Sequence, residues 1–354
     1  MARIQKISVQ EVVCSFNCQG KLRWVGVAWG LMCAGAWAGE DASPELDAQL
    51  NGALAASGAN YRLGAIDTYG ALGTLGTTIF FDDRSMQSGS HFVPYDPDRG
   101  GTRYISWTNE LDTTSSGLTA AETSTAIRAA MNTWNAIEPI DIPLVDLGDT
   151  TTDLGFLQYV ISGGTQGLPF PVADIYHAGF LPESFFETLR PGFGDQILAT
   201  TAQFSFIDED GNFTDLNGDG KADAAFREVY YNDAFNWVVE NGGGTDIDLQ
   251  TTALHEAGHG LSLDHFGKAF ATDANGQIHF APRSVMNAAD SGPQQELAPT
   301  DIAAFRNVWG NWPNLTYEPL IGTPATVPEP GCISLAAITI ATSLLVHRWR
   351  SRPN

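Results

Sequence analysis

The chain has 354 residues, 43% of them apolar, which is enough for one sizeable core plus targeting segments. Its formal net charge is -23, and residues 39–330 hold 40 acidic side chains against 11 basic ones. A surface of that sign repels polyanions, which excludes nucleic acid and anionic membrane as partners of the central region, and leaves solubility or cation binding as its use. The four cysteines, Cys14, Cys18, Cys33 and Cys332, all lie near the ends. The central region therefore has neither a disulfide framework nor a cysteine metal site.

The elements follow in chain order. Lys21 and Arg23 precede an apolar run from Trp24 to Ala36, then Ala36-Trp37-Ala38, with the first following acid at Glu40. That is the layout of a secretory signal peptide over residues 1–38, too short in its apolar part for a comfortable membrane span. Residues 39–100 are rich in Gly, Ala, Ser and Asp, with one strand candidate, Thr77–Phe81. They are compatible with a propeptide, a linker or an irregular N-terminal extension. Arg103–Trp107 alternates as a strand does. Thr119–Ile137 reads as a helix: Thr119 with Glu122 is a capping-box pattern, Ala120, Ile127, Ala130, Met131 and Trp134 recur near helical spacing, and Pro139 ends it. Ile140–Val145, Leu154–Val160, Ala202–Ile207 and Phe226–Tyr231 read as strands. A Gly-rich loop, Asn241–Gly244, leads to an apolar-periodic helix, Leu249–Leu261. A last helix runs from Thr300 to about Val308, with Thr300 and Asp301 as its cap, and residues 313–326 form a Pro/Thr linker. The tail, 327–354, has Val327-Pro328-Glu329-Pro330, an apolar stretch from Cys332 to Val346, and Arg348, Arg350 and Arg352. Such a stretch engages a bilayer, and the arginines hold its end on the cytoplasmic side. Helices and strands together make the fold class α+β.

His255 and His259 are four residues apart, so on a helix both imidazoles share one face, with Glu256 beside them. Two neutral imidazoles can hold a zinc ion, and the neighbouring carboxylate can act as general base and then general acid toward a zinc-activated water. His265 follows six residues after His259 and supplies a third ligand if the helix breaks between them. A non-glycine residue that makes such a break with positive φ costs roughly 1–3 kcal/mol.

A second constellation lies in an acidic loop. Asp215, Asn217, Asp219 and Asp223 occupy positions 1, 3, 5 and 9 of a calcium loop, Gly220 the turn position, and Lys221 the position that ligates through its carbonyl. Phe226 stands where an EF-hand has its bidentate Glu, so Asp208 or Asp210 would complete the shell. The expected role is structural calcium; a solvated acidic turn is the alternative.

The run His255-Glu256-Ala257-Gly258-His259-Gly260-Leu261-Ser262-Leu263-Asp264-His265 resembles the matrixin form of the metzincin zinc motif, with Ser262 where the family has Gly. Ser284-Val285-Met286-Asn287 resembles the Met-turn, and Leu297–Ile302 with Trp309-Gly310 resembles the closing helix. The resemblance covers residues 101–312. It implies a twisted mixed five-stranded sheet with three helices, a substrate cleft, and hydrolysis of peptide bonds within protein or peptide substrates. It also implies zinc on His255, His259 and His265, Glu256 as the catalytic residue, and Met286 as an apolar floor under the metal. Matrixins bind a second zinc and calcium near the region of Asp174 and His177; Asp174 fits that role loosely, and His177 reads as a surface residue. No cysteine stands upstream to act as the family's cysteine switch. The tail resembles a PEP-CTERM sorting signal. That implies an exosortase-type processing enzyme, transient membrane association through the C-terminal helix, and delivery to the envelope or extracellular matrix of a Gram-negative bacterium. An inactive binding module on the same scaffold is the rival reading, against which Glu256 speaks. A zinc hydrolase of a non-peptide substrate is a third.

Overall fold

The computed structural model describes residues 44–70, 88–111, 117–138, 140, 142–239, 246–271, 278–290, 292–310 and 312. The expected signal peptide, sorting tail and linker, the Asn241–Gly244 loop and the Thr77–Phe81 strand lie outside these. No helix among the described residues is long and apolar enough to cross a membrane.

The main body is a seven-stranded mixed sheet. Six strands run in the order β1 (Tyr61–Gly70), β6 (Ile197–Phe206), β7 (Ala222–Asn232), β5 (Ile175–Leu181), β3 (Ile105–Glu110) and β4 (Leu144–Thr150). β2 (Ser90–His91) pairs in parallel with the start of β7. β4, β3, β5 and β7 are mutually parallel, whereas β6 is antiparallel to both of its neighbours. Two short pairs, β8 (Asn236–Val238) with β9 (Asp246–Asp248) and β10 (Lys268–Ala271) with β11 (Ile278–Ala281), stand apart from it.

Helices cover both faces. α2 (Ala120–Asn135), α5 (Leu249–Gly260) and α6 (Pro299–Trp309) share one core with Trp107, Ile175 and Val229 of the sheet. α1 (Pro44–Ser57), α3 (Phe156–Ile161) and α4 (Glu183–Leu189) share a second core with Tyr176, Phe204 and Tyr230. Cover on both sides explains why β5 and β6 are buried at every position, Thr200, Thr201 and Gln203 included. The fold is thus mixed α and β; among the described residues it has six α-helices where the sequence led one to expect three, and a sheet wider than the expected five strands.

Several elements form for local reasons. α2 starts where Thr119 accepts from the Glu122 amide and Glu122 accepts from the Thr119 amide, the capping box read from the sequence. α6 starts one residue earlier than expected: Ala298 is its N-cap, and Asp301 in the first turn accepts from the Ala298 amide at 2.8 Å. Leu154–Val160 is not a strand. Its residues enter α3, because the fully buried Glu228 carboxylate of β7 accepts from the amides of Phe156 and Leu157 at 2.7 and 3.0 Å. Those two otherwise orphaned N–H groups tip an apolar run toward helix. The strand expected at Ile140–Val145 begins only at Leu144.

Residues 44–70, for which the sequence suggested no element, hold α1 and β1. β1 is a full member of the sheet, in register with β6 from Tyr61 opposite Phe206 to Gly70 opposite Ile197.

Candidate metal centre

α5 carries the metal motif through the middle of the molecule. Its N-cap, Asp248, accepts from the Thr251 amide at 2.7 Å, and every residue of the helix from Thr251 to Gly260 is buried. Two glycines let it lie close to its neighbours. A Cβ on Gly258 would collide with the Met286 sulfur and come 3.1 Å from the Trp134 ring. One on Gly260 would come 3.2 Å from Ile175. Trp134 Nε1 donates to the Leu254 carbonyl and Trp309 Nε1 to the Leu261 carbonyl, both at 2.8 Å, tying α2 and α6 to the same helix.

The helix breaks at Ser262, whose φ is 67°. The Leu263 amide donates back to the Gly258 carbonyl at 2.9 Å, a left-handed C-terminal turn made with serine in place of glycine. The turn brings His265 back to the other two imidazoles. His259 Nε2 lies 3.0 Å from His255 Nε2 and 3.2 Å from His265 Nε2. All three ligand atoms fall within 4.8 Å of one another, and among the described residues no other set of three or more His, Cys, Asp or Glu donors converges in this way.

The other ring nitrogens set the tautomers. His255 Nδ1 lies 2.6 Å from the Val285 carbonyl and His259 Nδ1 2.9 Å from the Leu263 carbonyl. A carbonyl only accepts, so both Nδ1 atoms donate and both Nε2 lone pairs point inward. Burial drives the His255 pKa well below its ordinary value, with His259 and His265 adding to the effect, and lowers that of His259 to about 4. These are neutral imidazoles. Donors held 2.0–2.1 Å from one tetrahedral ion lie about 3.3 Å apart, close to the spacings seen here. The residues fit a metal ion.

Glu256 projects beside them and is fully buried. Thr201 of β6 donates to its Oε2 at 2.5 Å, while Oε1 has no hydrogen-bond partner. Burial raises its pKa well above the usual carboxylate range, and the nearby Asp67 carboxylate pushes in the same direction. The Met286 side chain packs against α5 at Gly258, where an added Cβ would meet its sulfur. The turn that carries it is fastened by Asp301, whose carboxylate accepts from the Val285 amide at 3.0 Å and from the Ser284 hydroxyl.

β1 supplies two groups that the sequence did not reveal. Asp67 Oδ2 lies 3.8 Å from His259 Nδ1, and the Tyr69 ring stacks on that of His255 at 4.0 Å. Burial raises the Asp67 pKa to about 6 against the opposing effects of Gln203 and Arg227. The bulge at Gly64 breaks the period-two pattern that would have marked this strand.

The acidic loop leads into β7 and does not join the cluster of three histidines. Asp215 accepts from the amides of Asp219 and Gly220, Asn217 from that of Asp219, Asp219 from that of Lys221, and Asp223 from that of Leu216. Asp223 is 2% exposed, and its second oxygen has no partner. Asp208 closes a turn of its own by accepting from the amides of Asp210 and Asn212. His91 of β2, which sequence reasoning passed over, lies 3.0 Å from Asp219. Asp174 is taken by Arg99 at 3.0 Å and by the amide and hydroxyl of Ser106. His177 is not a surface residue: it has no exposure, because it stands in a strand covered on both faces, and its Nδ1 meets the Tyr231 hydroxyl at 2.7 Å.

No protein-family model matches this chain, and no curated protein matches it.

Proposed function

We propose that the protein is a zinc metalloendopeptidase, with zinc on His255, His259 and His265 and Glu256 as general base and acid. The observation that carries the reading is the convergence of three inward Nε2 atoms beside a buried carboxylate with one unpartnered oxygen. Three imidazoles leave a fourth position for substrate or water, the pattern of a catalytic site. Bound zinc supplies Lewis-acid polarisation of a carbonyl and acidification of water. Glu256 takes the proton from the attacking water at Oε1 and delivers it to the departing peptide nitrogen, while Thr201 holds Oε2 and fixes the carboxylate plane. The Val285 and Leu263 carbonyls orient the two helical imidazoles and strengthen their basicity toward the metal.

The acidic loop takes calcium in the same proposal, as structural support between β6 and β7. Its support is the buried, unpartnered oxygen of Asp223 beside the turn built by Asp215, Asn217 and Asp219. The apolar stretches near the two ends support delivery outside the cytoplasm, through a signal peptide and a sorting tail of the PEP-CTERM type.

The test is hydrolysis of an unstructured protein such as casein by the zinc-loaded chain, by Glu256→Gln and by chelated protein. The variant is expected to keep zinc and lose activity by about 10²-fold or more. Activity that persists in Glu256→Gln overturns the mechanism. Zinc binding with no hydrolysis by any form, after exposure of the site, favours the binding-module reading.

A further inference from the structure

A cavity of about 280 Å³ opens at the end of the sheet where β1 begins. It lies by Tyr61, the first residue of that strand, and none of its lining residues belongs to the metal centre. Just below the range of about 300–1,000 Å³ that small-molecule sites occupy, it has room for one ring of a ligand. Its walls are aromatic, from Tyr61, Tyr104 and Phe226. Tyr61 and Phe226 meet edge to face with centroids 5.0 Å apart, and Phe226 stacks in turn on Phe204 and Tyr176. This wall is fixed before any ligand arrives.

The floor carries no net charge. Arg99 donates through Nε to Asp174 at 3.0 Å, and through its two terminal nitrogens to the Val93 and Tyr104 carbonyls at 2.9 and 2.8 Å. The other Asp174 oxygen accepts from the amide and hydroxyl of Ser106. The guanidinium is therefore not open as an anion clamp, and its charge opposes a bound cation. The free polar groups are at the rim. Asp98 accepts from Asn60 through Oδ1 at 2.9 Å and keeps Oδ2 free, and the Thr102 and Tyr61 hydroxyls have no hydrogen-bond partner among the described residues. Together they offer both donors and acceptors. The loop that carries Asp98 and Thr102 is held in one shape. The Tyr95 amide donates to the Thr102 carbonyl at 2.9 Å, and Tyr95 has a φ of 60°, which a non-glycine residue keeps only where its surroundings dictate it. Of the seven exposed large apolar side chains among the described residues, Tyr95, Tyr104, Phe170 and Val172 lie on this loop or beside Pro171, which also lines the cavity. The exposed apolar surface thus gathers around the cavity, the mark of a binding site.

We propose that this cavity binds one sugar residue of a neutral polysaccharide. A pyranose has a face of C–H groups and a rim of hydroxyls, each of which donates and accepts. The C–H face suits the electron-rich face of an aromatic ring, here Tyr104 or Tyr61, and the hydroxyls suit Asp98, Asn60, Thr102 and the Tyr61 hydroxyl. Anionic polysaccharides are repelled, because residues 39–330 hold 40 acidic side chains against 11 basic ones. The site holds the chain on a glycan and takes no part in chemistry at the histidines, so it stands whether or not that centre cuts peptides.

The test is affinity electrophoresis of the full chain through native gels containing dextran, xylan or galactomannan. Tyr104→Ala, Asp98→Ala and Glu256→Gln run beside the wild type. Tyr104 and Asp98 are exposed, so their variants should melt at the wild-type temperature. If either does not, Thr102→Ala replaces it. At least one polysaccharide is expected to retard the wild type, and Tyr104→Ala and Asp98→Ala should each raise the dissociation constant about tenfold. Glu256→Gln should be retarded like the wild type. Unretarded migration of the wild type in all three gels overturns the proposal, and so does equal retardation of Tyr104→Ala. Retardation that is lost in Glu256→Gln places the sugar at the histidine centre and overturns it as well.

Discussion

His255 donates its Nδ1 proton to the Val285 carbonyl at 2.6 Å, so the residue before Met286 decides which nitrogen of the first histidine faces the metal site. Val285 is in turn held by Asp301 of α6 through its amide at 3.0 Å. A chain of two hydrogen bonds thus connects the last helix to the tautomer of His255. This gives the turn at Ser284–Asn287 the task of orienting the His255 ring.

Asp301→Ala should therefore act at a distance. It leaves the buried Val285 amide and the half-buried Ala298 amide without their acceptor, a cost of about 3 kcal/mol. Zinc affinity should fall by about tenfold to a hundredfold as the Val285 carbonyl loses its position. Chemical denaturation and competition with a chromophoric chelator measure the two effects. Unchanged affinity would show that the turn does not orient His255.

Gly258→Ala tests the packing of the motif helix on Met286. The added methyl meets the Met286 sulfur and the Trp134 ring, neither of which has room to retreat in a filled core. A loss of about 1–3 kcal/mol is expected. Gly258→Ala combined with Met286→Ala should recover part of it, and a double-mutant cycle on the denaturation midpoints reads the coupling. Strict additivity would contradict the contact.

His177 makes the fold acid-sensitive. Burial lowers its pKa from 6.5 to about 3, so the folded chain keeps it neutral while the unfolded chain protonates it. Below pH 6.5 the unfolded state binds the extra proton and stability falls, by about 1.4 kcal/mol per pH unit until the folded pKa is reached; above pH 6.5 this contribution is flat. Denaturation midpoints of the wild type and of His177→Gln between pH 7 and pH 5 isolate it. His177→Gln should be less stable at pH 7 and show the shallower pH slope, and equal slopes would refute the assignment.

Calcium should raise the melting temperature of the wild type, and Asp223→Asn should abolish most of that rise. The substitution keeps the acceptor for the Leu216 amide and removes the charge on the unpartnered oxygen. Differential scanning calorimetry with and without millimolar calcium decides. An equal calcium-induced shift in the variant would remove Asp223 from the site, and no shift in either form would remove calcium itself.

What could be read from the sequence alone was local. The four-residue spacing of His255 and His259 places them on one helix face, the Thr119–Glu122 box starts α2, and the short run to His265 demands a turn that Ser262 makes at φ 67°. Each of these is settled by a few consecutive residues, where steric limits and the helical repeat leave little choice. What the tertiary structure decided was partnership across long separations. Leu154–Val160 contains a helix because Glu228, more than sixty residues on, takes up its first amides. His177 is buried because its strand is central to the sheet. Above all, Tyr61–Gly70 lies over the histidines because it pairs with β6, and strand pairing depends on a partner edge that no local pattern of residues can identify.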